Sequence, residues 1–81
     1  MATPEGWDEA DGALRREFRF ANFAEALAFV KRVGELAESE NHHPDIELGW
    51  GRVVLRWRTH SAVAITDRDR EMAARSAELD R

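Results

Sequence analysis

The chain has 81 residues, which is room for one domain and no more. With no cysteine it can have neither a disulfide framework nor a thiolate metal site, while 43% hydrophobic and 35% charged residues are the balance of an ordinary globular domain. A formal net charge of −4 argues against nucleic acid as the main partner, and no apolar run reaches membrane-spanning length.

A soluble, cytoplasmic protein is therefore expected, with no membrane and no nucleic acid as partner. The start Met-Ala-Thr-Pro-Glu has no secretory pattern. So small a domain is marginal alone and needs a good apolar core or self-association.

Residues 1–6 are polar and small and are expected to be poorly ordered, with a single domain over residues 7–81. Trp7 opens a short segment through Glu9, and Asp11-Gly12 is a turn signal. From Leu14 to Phe20 the chain alternates, with Leu14, Phe18 and Phe20 on one face and Arg15, Glu17 and Arg19 on the other. That period of two reads as a half-buried strand and makes the first 20 residues a hairpin. Arg15, Arg16 and Arg19 cluster, but with Glu17 among them they read as a solvated strand face.

Asn22 is placed as a helix N-cap, with Glu25 three residues on to close a capping box. The stretch from Phe23 to about Asn41 is helical: Phe23, Ala26, Leu27, Phe29, Val30, Val33, Leu36 and Ala37 fill about half the wheel. Such a stripe is wider than one sheet face needs and could also serve a helix of a second subunit. Pro44 ends any helix before it. Ile46, Leu48 and Trp50 then alternate with Glu47 and Gly49, Gly51 marks a turn, and Val53, Leu55 and Trp57 alternate with Val54, Arg56 and Arg58 toward Thr59-His60. By parity, Trp50 and Trp57 are expected to face the core. Thr66 is an N-cap for a last helix, with Asp69 at its third position. The order strand, strand, helix, strand, strand, helix predicts an α+β fold, a four-stranded antiparallel sheet with two helices packed on one face.

The three histidines, His42, His43 and His60, fall close together in the second half of the chain, two at a helix-to-strand connection and one at a strand end. Histidine titrates near neutrality, so two imidazoles in different protonation states can protonate a leaving hydroxyl and remove a proton elsewhere on one substrate. An isolated surface histidine is usually inert, however. Zinc held by histidines with Glu38 or Asp45 is a second option, against which adjacent His42 and His43 must diverge in an extended segment and no helical His-x-x-x-His pair exists. A nucleophilic triad would need Ser39 or Ser61 beside a histidine, and nothing supports it. Asp69 is favoured in a first helical turn whatever its function, and Glu38 can equally be a solvated helix residue. Trp7 can edge the core or flank a flat ligand.

Taken together, Glu38, His42-His43-Pro44, Trp50, His60 and Asp69 resemble the motif of the pterin-4a-carbinolamine dehydratase family. That motif is an acidic residue, three positions, His-His-Pro, a short spacer, an aromatic, nine positions, His, and Asp further on. Gly6-Trp7, Phe20 to Phe29, Thr59-His60-Ser61 and Ile65-Thr66 match as well, so the resemblance covers residues 6–80. It implies loss of water from a 4a-hydroxytetrahydropterin to give the quinonoid dihydropterin, in recycling of the cofactor of aromatic amino-acid hydroxylases. It implies a homodimer or homotetramer and no metal or organic cofactor. By position, His42, His43, His60 and Asp69 match the catalytic set. Asn41-His42-His43 and Arg58-Thr59-His60-Ser61 match the pterin-contacting stretches, with Glu38, Pro44 and Trp7 in support. His42 and His60 are expected to be the acid–base pair, with His43 mainly holding the pterin and Asp69 orienting His60 or capping its helix.

Two departures from the family pattern stand out. The family's usual N-terminal helix ahead of Gly-Trp is expected to be absent. Val63-Ala64 stands where the family tends to have Gly-Gly, and if that pair needs positive φ, Val63 would be strained by about 1 kcal/mol or more. The resemblance also admits a non-enzymatic alternative, because family members act as a dimerisation cofactor of a transcription factor or help assemble Rubisco.

Overall fold

The computed structural model describes residues 3–62 and 64–80, so Val63, with its expected loop strain, and residues 1 and 2 lie outside the described residues. Six elements follow one another: β1 (Asp8–Ala10), β2 (Ala13–Arg19), α1 (Phe23–Glu40), β3 (Asp45–Gly49), β4 (Arg52–Trp57) and α2 (Asp67–Glu78). The four strands form one antiparallel sheet in the order β1-β2-β4-β3. This is the expected α+β architecture. Ahead of β1, in the stretch expected to be poorly ordered, the Trp7 N–H donates to the Pro4 carbonyl at 3.1 Å and closes a turn.

The β1–β2 hairpin turns on Asp11 and Gly12, with φ of 52° and 76°. Two successive left-handed residues are what a two-residue turn needs to match strand twist, and Asp-Gly is suited to it. In the β3–β4 hairpin a side chain on Gly51 would meet the Phe20 carbonyl oxygen at 2.7 Å. That close approach lets the Phe20 N–H donate to the Gly51 carbonyl at 2.8 Å, tying the exit of β2 to the turn.

Strand register sorts the side chains onto two faces. Leu14 lies opposite Trp57 and Phe18 opposite Val53, and these face the helices. They form the core with Leu55, with Ala26, Phe29, Val33 and Ala37 of α1, and with Met72 and Ala73 of α2. Helix α1 lies over β3 and β4, and α2 over β4 and β2. On the opposite face Arg52 donates to Glu17 and to Glu47, each at 3.1 Å, and Val54 is fully buried beneath these charges. The hydrogen bonds from Arg52 hold the Glu17 and Glu47 carboxyls below the usual range, against the opposing effect of burial. Arg16 has the core-side parity, but its guanidinium lies over the Phe18 ring at 4.7 Å and against Gly6, where a side chain would meet it.

Trp50 departs from expectation. It is 71% exposed, because it sits in the turn after β3 where the strand alternation no longer fixes its direction. Ile46 on the same strand is 38% exposed. Two helices over four strands leave the β3 edge incompletely covered. Phe23 is likewise exposed, and Leu27, Val30 and Leu36 are half-buried, so the wide stripe of α1 is covered only along its centre. Among the described residues no helix is long and apolar enough to cross a membrane.

Candidate active site

The site begins where α1 ends. Asn41 adopts the left-handed conformation at φ 50°, its N–H donates to the Glu38 carbonyl, and the His42 N–H donates back to the Ala37 carbonyl at 3.1 Å. This pair of bonds is a Schellman cap, for which Asn is the usual substitute for glycine. It reverses the chain within one residue, so His42 leaves the helix end directed toward α2. Pro44 then commits the chain to β3.

The start of α2 supplies the other half. The Thr66 N–H donates to Asp69 Oδ2 at 2.9 Å, the reciprocal bond of a capping box. The Thr59 hydroxyl donates to the same oxygen at 2.8 Å. The remaining oxygen, Oδ1, lies 2.6 Å from His42 Nε2. Asp69 is fully buried. Burial pushes its carboxyl up, but the hydrogen bonds from His42, the Thr66 N–H and the Thr59 hydroxyl outweigh that and hold it below the ordinary carboxylate range. An ionised carboxylate only accepts, so in this network His42 Nε2 carries a proton and Nδ1 is the nitrogen left for exchange. The His42 side chain is 10% exposed, and its ring stacks on Trp57.

His43, by contrast, points to solvent and pairs through Nε2 with Glu38, one turn back along α1. His60 and Ser61 are exposed in the connection between β4 and α2. That connection is pinned at Thr59, whose N–H donates to the Ala64 carbonyl at 2.9 Å and whose carbonyl accepts from Ala62 at 3.1 Å. Arg58 Nε lies 3.9 Å from Asp45 Oδ2. Asp69 thus ties the end of α1, through His42, to the exit of β4, through Thr59.

Of the two roles expected of Asp69, it takes that of capping its own helix, and among the described residues the imidazole bonded to it is that of His42, not that of His60, because the cap of α1 and the first turn of α2 face one another. Trp7 is a core residue, 5% exposed and packed edge-on against Phe18 with ring centroids 5.9 Å apart. The helix-ending role of Asn41 and the stack of His42 on Trp57 are additions. Asn before His-His-Pro is a readable stop signal, whereas the stack depends on tertiary placement. A cavity of about 230 Å³, lined by Phe20, Glu25, Ala28, Arg32 and Asp80, lies toward the opposite end of α1 and holds none of the histidines.

Comparison with known proteins gives a consistent result. A protein of Cupriavidus pinatubonensis that carries the dehydratase name is 49% identical over 81 residues, covering 98% of this chain and 69% of its own length. One of Rubrobacter xylanophilus is 55% identical over 71 residues, 86% of this chain and 66% of its own length. The chain thus spans about two thirds of the length of these relatives. Among solved structures, a transcriptional coactivator/pterin dehydratase from Brucella melitensis superposes with a TM-score of 0.89 at 30% identity, over 95% of this chain and 84% of that one. A pterin dehydratase-like protein described as a RuBisCO assembly factor in the alpha-carboxysome has the same fold, with a TM-score of 0.75 at 24% identity, over 91% and 86%. The sequence profile named for pterin 4 alpha carbinolamine dehydratase matches residues 1–79, and the chain belongs to that family.

Proposed function

We propose that the chain dehydrates a 4a-hydroxytetrahydropterin to the quinonoid dihydropterin and water by histidine acid–base catalysis. The observation that carries this reading is His42, anchored at Nε2 by a buried carboxylate with its other nitrogen left to exchange a proton. The reaction breaks the C4a–O bond as a proton reaches the 4a-hydroxyl, and a proton leaves N5 as the C4a–N5 double bond forms. One imidazole gives a proton and a second takes one, so the pair ends with its protonation states exchanged and resets through solvent. His42 and His60 are that pair. His43, half-exposed beside Glu38, holds the pterin with Asn41, Arg58, Thr59 and Ser61. The protein works in the cytoplasm in tetrahydropterin recycling, as a homo-oligomer, without metal or organic cofactor.

The test is dehydration of chemically generated 4a-hydroxytetrahydropterin with a chelator present. Folded His42→Ala and His60→Ala should each lower kcat by about 100-fold or more, with KM changed less. His43→Ala should raise KM and keep most of kcat. Activity lost to the chelator and restored by zinc overturns the metal-free scheme, and a folded His60→Ala at wild-type turnover overturns the acid–base pair. The coactivator description of the Brucella melitensis structure favours a second reading, an interaction module. That reading predicts no turnover from the wild-type chain.

A further inference from the structure

Proton transfer at His42 needs the imidazole held in one plane, and Asp69 fixes it at a single atom, Nε2. One hydrogen bond sets where that nitrogen lies but leaves the ring free to tilt about it. The second constraint is on the ring face. Trp57, the last residue of β4, lies nearly parallel to the imidazole, with 13° between the planes and 5.8 Å between centroids.

Trp57 is itself held. Its Nε1–H donates to Ser76 Oγ on α2 at 3.2 Å, and the Ser76 hydroxyl donates to the Ala73 carbonyl at 3.0 Å. The hydroxyl proton is committed to the helix backbone, so a lone pair is left for the indole. Both side chains are fully buried, so neither is placed to touch a substrate. Serine is costly in a buried helical position unless its hydroxyl is used, and here both of its capacities are. The other buried indole offers a contrast: Trp7 Nε1 has no hydrogen-bond partner among the described residues.

We propose that Trp57 and Ser76 are positioning residues for His42: Ser76 sets the plane of the indole, and the indole face together with Asp69 sets the plane of the imidazole. This rests on the reading of His42 as an acid–base group. It adds a chain of contacts from α2 through β4 to the reacting nitrogen.

The experiment compares Ser76→Ala, Trp57→Phe and the double variant in the full chain. It reads His42 ring resonances by long-range proton–nitrogen NMR, and kcat and KM on 4a-hydroxytetrahydropterin. Phenylalanine keeps an aromatic face but has no N–H for Ser76 to accept. In the wild-type background Ser76→Ala should shift the His42 resonances, leave those of His43 in place, and lower kcat by about tenfold with little change in KM. In the Trp57→Phe background the same Ser76→Ala change should move neither readout, because the coupling runs through the indole N–H. Trp57→Leu, which removes the ring face, is a second probe and should shift His42 and lower kcat at least as far. His42 resonances and kcat that stay unchanged in folded Ser76→Ala overturn the proposal. So does an equal effect of Ser76→Ala in both backgrounds, which marks a purely structural role. A wild-type chain without turnover overturns the dehydratase reading instead, and the NMR arm still decides whether the indole positions the imidazole.

Discussion

Asp69 is a negative charge closed off from water, kept ionised by hydrogen-bond donors from three parts of the chain. Its carboxyl is held below the ordinary range in the folded protein, so in mild acid the unfolded chain binds the proton first. The stabilisation is therefore fully present above the ordinary carboxylate pKa and is lost as pH falls through the lowered folded value. Asp69→Asn should remove about 2 kcal/mol of stability at neutral pH and flatten the acid limb of the stability curve below about pH 4. Urea unfolding from pH 3 to 7 checks both. An unchanged acid limb would mean the carboxylate is not stabilised as described. The same variant should lower kcat through His42, which loses its fixed tautomer. The residue types of this site were legible in the sequence: His-His-Pro, His60 and Asp69 stand at telling spacings. The pairing was not. In sequence Asp69 lies far closer to His60 than to His42, and only the meeting of the α1 cap with the α2 cap decides between them.

Asn41 does two jobs at the scale of the element, ending α1 and launching the His-His-Pro segment. Its φ of 50° is tolerated by Asn and free for Gly, but costs other residues about 1 kcal/mol or more. Asn41→Gly should accordingly keep or raise the melting temperature, while Asn41→Ala should lower stability by about 1 kcal/mol and loosen His42. Calorimetry with parallel kinetics separates the roles. If Asn41 also contacts pterin, the glycine variant raises KM without losing stability. Equal stability of the two variants would show that the left-handed cap carries no weight. Both helices were legible because local signals agree: Asn22 Oδ1 accepts from the Glu25 N–H at 2.9 Å, and the apolar stripe runs at the helical period to Ala37. Trp50 escapes the alternation because parity carries direction only within a paired strand, and β3 ends at Gly49.

For the whole molecule, the β3 edge and the flanks of the α1 stripe stand uncovered in the single chain. An edge strand presents unpaired backbone groups, and proteins commonly protect such edges with charge or cover them. The acidic residues of β3 are not a bare anionic row, since Glu47 is paired with Arg52 and Arg56. Exposed Ile46, Trp50 and Phe23 add apolar surface to a domain too small to leave it idle. A dimer or larger species at micromolar concentration is the expected outcome in sedimentation, and a monomer there would remove this account of the stripe. The uneven exposure of the three tryptophans has an optical consequence. Trp7 and Trp57 emit from a dry interior, while Trp50, at 71% exposure, is the fluorophore open to quencher in an isolated chain. Acrylamide should reach one emitter of three, and dilution through the association midpoint should shift the emission to the red if subunits meet over Trp50. Were subunits to meet there, Trp50 would report assembly with no label added.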